Sequence, residues 1–260
     1  TTGNFNVAVG ANSLYSNTTA SGNVAVGYKA LFLNTTGPDN TAVGAENNYV
    51  AALGANTTGT RNAAFGSGAL RSNTTGSDNT ALGTNSLQAN TTASNNTAVG
   101  YQAGYSNTTG PYLTAIGFKA AYSNSTGDSN TAIGYESLYS NVGYTNATAV
   151  GHQALRASTA DNNTAVGKTA AVSTTTGNNI VALGMNALLS NTTGSYNVAV
   201  GKDALYSNTT ASNNTAVGYQ AGYNTTTGTQ NVFQGGFAGF NNTRSEEHTS
   251  ELQSHHDLVC

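Results

Sequence analysis

Few residues in this chain could do chemistry, and their spacing keeps them apart. Between Thr1 and Thr243 there is one histidine, His152, and no cysteine, so no Cys/His metal set can be built there. Glu46, Glu136 and Asp203 fall at one place in a recurring pattern, but they stand several repeats apart with Asn, Gln and Lys between them. Paired-carboxylate chemistry needs its two acids within roughly 5–9 Å of each other. The chain has no Gly-x-x-x-x-Gly-Lys loop, and Gly235-Gly236 closes a degenerate repeat and does not cradle a phosphate. Lysine and arginine total 8 in 260 residues, too few for a nucleic-acid groove. The expectation is a chain with no catalytic residue, no metal, no cofactor and no nucleic-acid partner, hence not an enzyme.

Two polar residue types do recur with a period. Asn17, Asn34, Asn73, Asn90, Asn107, Asn191 and Asn208 each head an Asn-x-Thr triplet, the acceptor signal for glycans in a eukaryotic secretory route. The same residues suit a tight turn, because an Asn side chain can hydrogen-bond nearby backbone. The turn is the stronger explanation, since sugars on successive coils at about 4.8 Å spacing would collide. Thr41, Thr80, Thr97, Thr114, Thr131, Thr148, Thr164 and Thr215 form a second column, interrupted by Val7, Val24, Val181, Val198 and Val232. Ranks of threonine on a flat face can order water, which makes ice binding the alternative function.

The element that must position all of these is a repeat. Glycines closing an Ala-hydrophobic-Gly step stand at 10, 27, 44, 54, 66, 83, 100, 117, 134, 151, 167, 184, 201, 218 and 235; eleven of the fourteen intervals are seventeen residues and one is sixteen. So strict a period predicts an all-β parallel solenoid of about seventeen residues per coil, in which each unit is stabilised by its neighbours. The segment Asn-Thr-Ala-Val-Gly reads as a short strand with Thr and Val on one face and Ala on the other. Val9, Val26, Val43, Leu82, Val99, Ile116, Ile133, Val150, Val166, Leu183, Val200 and Val217 are always bulky and apolar. They are expected to form the core ladder, with the Ala column held close to another backbone. A second apolar pair, such as Leu14-Tyr15 or Leu205-Tyr206, follows each glycine. Neighbouring strand residues point to opposite faces, so Leu and Tyr share one interior only if the backbone bends. Tyr15, Tyr105, Tyr122, Tyr139, Tyr206 and Tyr223 are expected either to stack coil on coil, half-exposed, or to be buried between chains. The 44–66 interval is expected to hold two short coils forming a local bulge or kink.

Two further features bound the array. Thr1-Thr2-Gly3 reads as the end of an Asn-Thr-Thr-Gly turn, so the chain is expected to begin in mid-repeat. Residues 244–260 carry four of the eleven acids, three of the four histidines and the sole cysteine, and break the repeat after Asn242-Thr243. They resemble the conceptual translation of a sequencing-adapter oligonucleotide and are expected to be a non-native tail, leaving 1–243 as the repeat array. Without them the chain is neutral by count, with seven basic and seven acidic residues. No apolar run reaches the roughly 18 residues needed to span a bilayer as a helix, so no membrane insertion is expected.

The recurring Asn-Thr/Val-Ala-Val/Ile-Gly step with polar turns resembles the head repeats of trimeric autotransporter adhesins. The longer unit Asn-Thr-Ala-Val-Gly-Tyr-Gln-Ala, followed by Tyr-Ser-Asn-Thr-Thr-Gly at 105–110, is closer to the arrays of bacterial and phage tail-fibre-like proteins. The resemblance covers 1–243. It implies a left-handed parallel β-roll, three identical chains per fibre, and display at a cell surface or on a virion. It further implies surface attachment through an unidentified host-surface or matrix ligand, or a rigid spacer.

Overall fold

The computed structural model describes residues 2–45 and 51–243. The chain divides into two compact units, Thr1–Asn146 and Ala147–Cys260, and both are parallel β-solenoids. The first carries β1 (Val7–Val9), β2 (Val24–Val26), β3 (Thr41–Val43), β4 (Ala63–Phe65), β5 (Thr80–Leu82), β6 (Thr97–Val99), β7 (Thr114–Ile116) and β8 (Thr131–Ile133). The second carries β9 (Thr148–Val150), β10 (Thr164–Val166), β11 (Val181–Leu183), β12 (Val198–Val200), β13 (Thr215–Val217) and β14 (Val232–Gln234). Within each unit every strand pairs in parallel with the next in chain order, equivalent repeat positions in register: Ala81 on Ala98 and Ala98 on Ala115, Ala182 on Ala199 and Ala199 on Ala216. The repeat period is thus the length of chain that brings a strand back beside its predecessor. The tail at 244–260 and Glu46 lie outside the described residues.

The interior is lined by the small side chain of each strand. Ala25, Ala42, Ala64, Ala81, Ala98, Ala115 and Ala132 in the first unit are fully buried, as are Ala149, Ala165, Ala182, Ala199 and Ala216 in the second. The bulky column expected as the core ladder lies on the opposite, outward face: Val9, Leu82, Ile116, Ile133, Val166, Leu183 and Val217 are exposed, and Val26, Val43, Val99, Val150 and Val200 are half-buried. Strand alternation sets two faces; the thinness of the coil selects the inner one. Where leucine enters from the far arm only a methyl group fits between the strand and the opposite wall, and a valine there would overpack a close-packed interior; in β14, where Gly222 and Gly239 stand in the leucine column, Phe233 takes the alanine position and is buried against them.

The volume that alanine leaves is filled by leucine from the arm after the glycine. Leu31, Leu70, Leu87, Leu138, Leu155, Leu188 and Leu205 are fully buried, and they reach the interior because the backbone there is left-handed, with φ of 51° at Leu31 and 49° at Leu205. That conformation costs an L-residue roughly 1–2 kcal/mol. Burying a leucine returns about 1.5–3 kcal/mol, and the same residue's N–H donates to the next coil, as from Leu70 to Ser86 (3.0 Å) and from Leu188 to Ala204 (2.9 Å). This is the bend required to separate Leu from Tyr: leucine turns in, and the tyrosine beside it turns out.

The 44–66 interval departs from expectation. β3 pairs directly with β4, Val43 opposite Phe65, and the Asn56 amide donates to Asn34 at a separation of 22 residues. One enlarged coil therefore spans the interval, not two short ones. Leu53, with φ of 51°, belongs to the inner leucine column, and Gly54 to the column that holds Phe32 in the coil before.

Candidate functional site

Three columns line the outside of the coils. The first and third residues of each strand face outward together, giving a Thr-x-Val or Thr-x-Ile rank in register from strand to strand. Beside it runs the residue after the glycine, with Tyr28, Tyr101, Phe118, Tyr135, Met185 and Tyr219 all exposed. In this column Tyr101 stacks on Phe118 at 5.5 Å between centroids and Phe118 on Tyr135 at 5.3 Å. The third column is the predicted tyrosine ladder. Tyr105, Tyr122 and Tyr139 stack at 5.0 and 5.1 Å with rings 6° from parallel. Tyr15 stacks on Phe32, and Tyr206, Tyr223 and Phe240 form a third run. Apart from the exposed Tyr15, these tyrosines are half-buried, each stacked on at least one ring of the same chain. Burial, then the neighbouring Tyr206, Asp203 and Tyr219, raise the Tyr223 phenol above the ordinary tyrosine range.

The sequon asparagines are interior. Asn34, Asn73, Asn90, Asn107, Asn191 and Asn208 are fully buried and Asn17 nearly so. Each spends its amide on the carbonyl three residues on: Asn73 to Gly76 at 2.9 Å, Asn107 to Gly110 at 2.9 Å, Asn208 to Ala211 at 3.1 Å. Most donate also to the preceding coil's asparagine, as Asn90 to Asn73 and Asn208 to Asn191, both at 2.8 Å. Buried and hydrogen-bonded in this way, these side chains serve as turn residues joined into a ladder. A second buried ladder, not anticipated as such, precedes most strands. There the Asn40 N–H donates to the Asn23 side chain (2.9 Å), and that of Asn62 to Asn40 (2.9 Å). Its sequence signal was the recurrent Asn before the strand, replaced at Leu113, Ala147 and Ile180.

His152 is exposed in the column that also holds Lys168 and Lys202. Asp203 accepts from the Asn186 amide at 2.9 Å and lies 3.7 Å from the Lys202 ammonium. Among the described residues no three His, Cys, Asp or Glu side chains cluster as a metal site, and no helix is long and apolar enough to cross a membrane. One bidentate ion pair, Arg61 to Asp78 at 2.6 and 2.8 Å, bridges successive coils. Its hydrogen bonds hold the Asp78 carboxyl below and the Arg61 guanidinium above their ordinary ranges.

Fold and columns together define a class, the parallel β-solenoid with in-register polar ladders inside and aromatic ladders outside. No protein-family model matches the chain, and neither does any curated protein or solved structure.

Proposed function

We propose that this chain is a non-enzymatic, extracellular structural or adhesive fibre segment that works as a homotrimer, extending or presenting an attachment surface from a cell or virion. The observation that carries the reading is the outward apolar face: Leu82, Ile116, Ile133 and Phe65 on the strands, with Phe118, Tyr101 and Tyr135 beside them, are exposed in register. Extended apolar patches of this kind mark association surfaces. A column repeated by stacking also presents the same groups, coil after coil, to a second and third copy. The strand and post-glycine columns, which are more exposed, suit an interchain contact better than the tyrosine ladder, whose rings are half-buried and stacked on one another within the chain. Display on a cell or virion and attachment to a host surface or matrix rest on the resemblance of the repeats.

Sedimentation equilibrium on residues 1–243 at micromolar concentration tests the assembly. The expected species is a trimer that dissociates when Ile116 and Ile133 are both replaced by glutamate; a monodisperse monomer refutes it. A second reading, ice binding, draws on the outward Thr-x-Val ranks. Thermal hysteresis in the same sample, lost on Thr97→Tyr, would favour it over the fibre.

A further inference from the structure

The tyrosine ladder sets phenol against phenol. Tyr105, Tyr122 and Tyr139 form one run, with centroids 5.0 and 5.1 Å apart and rings 6° from parallel, and Tyr206 and Tyr223 form another at 4.9 Å and 7°. Backbone bonds hold the rungs in register: the Ser106 N–H donates to Tyr122 O at 3.0 Å and the Ser207 N–H to Tyr223 O at 2.9 Å. Elsewhere a phenol stacks on a ring that has none, as Tyr15 on Phe32 and Tyr101 on Phe118. Tyr112 and Tyr196, each 59% exposed, are more accessible, but the same left-handed position in the coils on either side of them holds Asn95, Ser129, Asn179 and Asn213, so no ring adjoins them there.

A phenol that gives up one electron and its O–H proton becomes a phenoxyl radical with spin density on its two Cε carbons. Two such radicals join Cε to Cε; each of those carbons then loses its hydrogen to solvent as a proton while a proton returns to each oxygen, and both phenols are restored. The sum is one new carbon–carbon bond and the loss of two hydrogen atoms. Hydrogen peroxide, acting through a haem peroxidase, takes the two electrons and two protons and is reduced to two waters. Coupling requires a second radical within reach of the first. A neighbour held one rung away is present at an effective concentration of at least about millimolar, about a thousandfold above another chain at micromolar concentration. Bond formation tips the rings out of parallel, a rotation about the side-chain torsions that half-buried rings can make. We propose that the phenol-on-phenol rungs are oxidative modification sites, at which Tyr122 couples to Tyr105 or Tyr139, and Tyr206 to Tyr223, stapling successive coils of one chain.

The test treats the full chain, as an equal mixture of isotope-labelled and unlabelled protein at micromolar concentration, with a haem peroxidase and hydrogen peroxide, and maps cross-linked peptides by mass spectrometry. Links joining labelled to unlabelled peptides report coupling between chains, so the result is read independently of the oligomeric state. The expected products are single-isotope links Tyr105–Tyr122, Tyr122–Tyr139 and Tyr206–Tyr223, at least about tenfold more abundant than any link through Tyr112 or Tyr196. Tyr122→Phe keeps a stacked ring and should abolish both links of its run while leaving Tyr206–Tyr223. Phe118→Tyr should create links to Tyr101 and Tyr135, whose rings lie 5.5 and 5.3 Å from it. The proposal is overturned if the stacked pairs stay unlinked under conditions that couple N-acetyltyrosine, if links through Tyr112 or Tyr196 match theirs, if mixed-isotope links predominate, or if a folded Phe118→Tyr adds none. Should a variant fail to fold, the link map of the unsubstituted chain decides it.

Discussion

Replacing Asn73 by alanine tests whether the buried asparagine ladder holds the coils in register. The Asn73 amide donates to Asn56 Oδ1 at 2.8 Å and to Gly76 O at 2.9 Å, and its own Oδ1 accepts from the Asn90 amide at 2.8 Å. Alanine removes all three bonds. Gly76 O keeps the Asn62 amide at 2.8 Å, and the Asn90 amide keeps Ala93 O at 3.0 Å. The groups stranded in the interior are then Asn56 Oδ1 and one N–H of Asn90. At about 1 kcal/mol for the bond to Gly76 O, whose carbonyl keeps another donor, and about 1–3 kcal/mol for each of the two buried groups left without a partner, the expected cost is about 3–7 kcal/mol. Threonine already stands in this column at Thr174, where its hydroxyl accepts from the Asn191 amide at 3.2 Å. Asn73→Thr should therefore keep an acceptor for Asn90 and cost about half as much. Urea unfolding of the full chain, monitored by tyrosine fluorescence and far-UV circular dichroism, measures both. Neighbour coupling in a solenoid spreads the loss to adjacent coils, so hydrogen exchange should rise first at Asn56 and Asn90. If alanine costs under about 1 kcal/mol, or no more than threonine, the ladder is not a source of stability and the reasoning fails.

Two other perturbations probe the remaining columns. Gly100 has φ of +133°, and a Cβ there would lie 2.5 Å from Gly117 O; since both strain and a backbone clash oppose it, Gly100→Ala should lose about 2–4 kcal/mol in the same unfolding assay. In the tyrosine ladder, Tyr122→Ala removes two stacked contacts worth about 0.5–1.5 kcal/mol each, seen as lost stability and a reduced near-UV dichroism signal. The raised Tyr223 phenol adds a pH signature. Its proton is held more tightly folded than unfolded, so its contribution is fully present below the unfolded value of about 10 and disappears as pH climbs through the folded value. Spectrophotometric titration should show a late-ionising tyrosine that is absent in Tyr223→Phe.

Period and residue type in the sequence determined the parallel solenoid, its seventeen-residue coil and the like-on-like stacking, because a strand of Thr-Ala-Val returning at a constant interval can only meet its own kind. Alternation likewise determined that Ala lies opposite Thr and Val. It did not say which face is inside. The bulkier column looks like core on transfer free energy alone, yet the enclosed space was decided by the left-handed leucines at positions such as Leu31 and Leu205, which fill the interior from the other wall and leave room only for a methyl group. The same holds for asparagine. Asn-x-Thr is read locally as a surface turn or an acceptor, and only stacking reveals that each amide can be buried because the coils on either side complete its hydrogen bonds. The 44–66 interval deceived for a related reason: Leu53-Gly54 mimics the end of a strand, and only the pairing of Val43 with Phe65 assigns it to the leucine and aromatic columns. Spacing along the chain sets which residues recur together, but the thickness of the coil and the partners across its interior, which no single repeat contains, set which of them face inward.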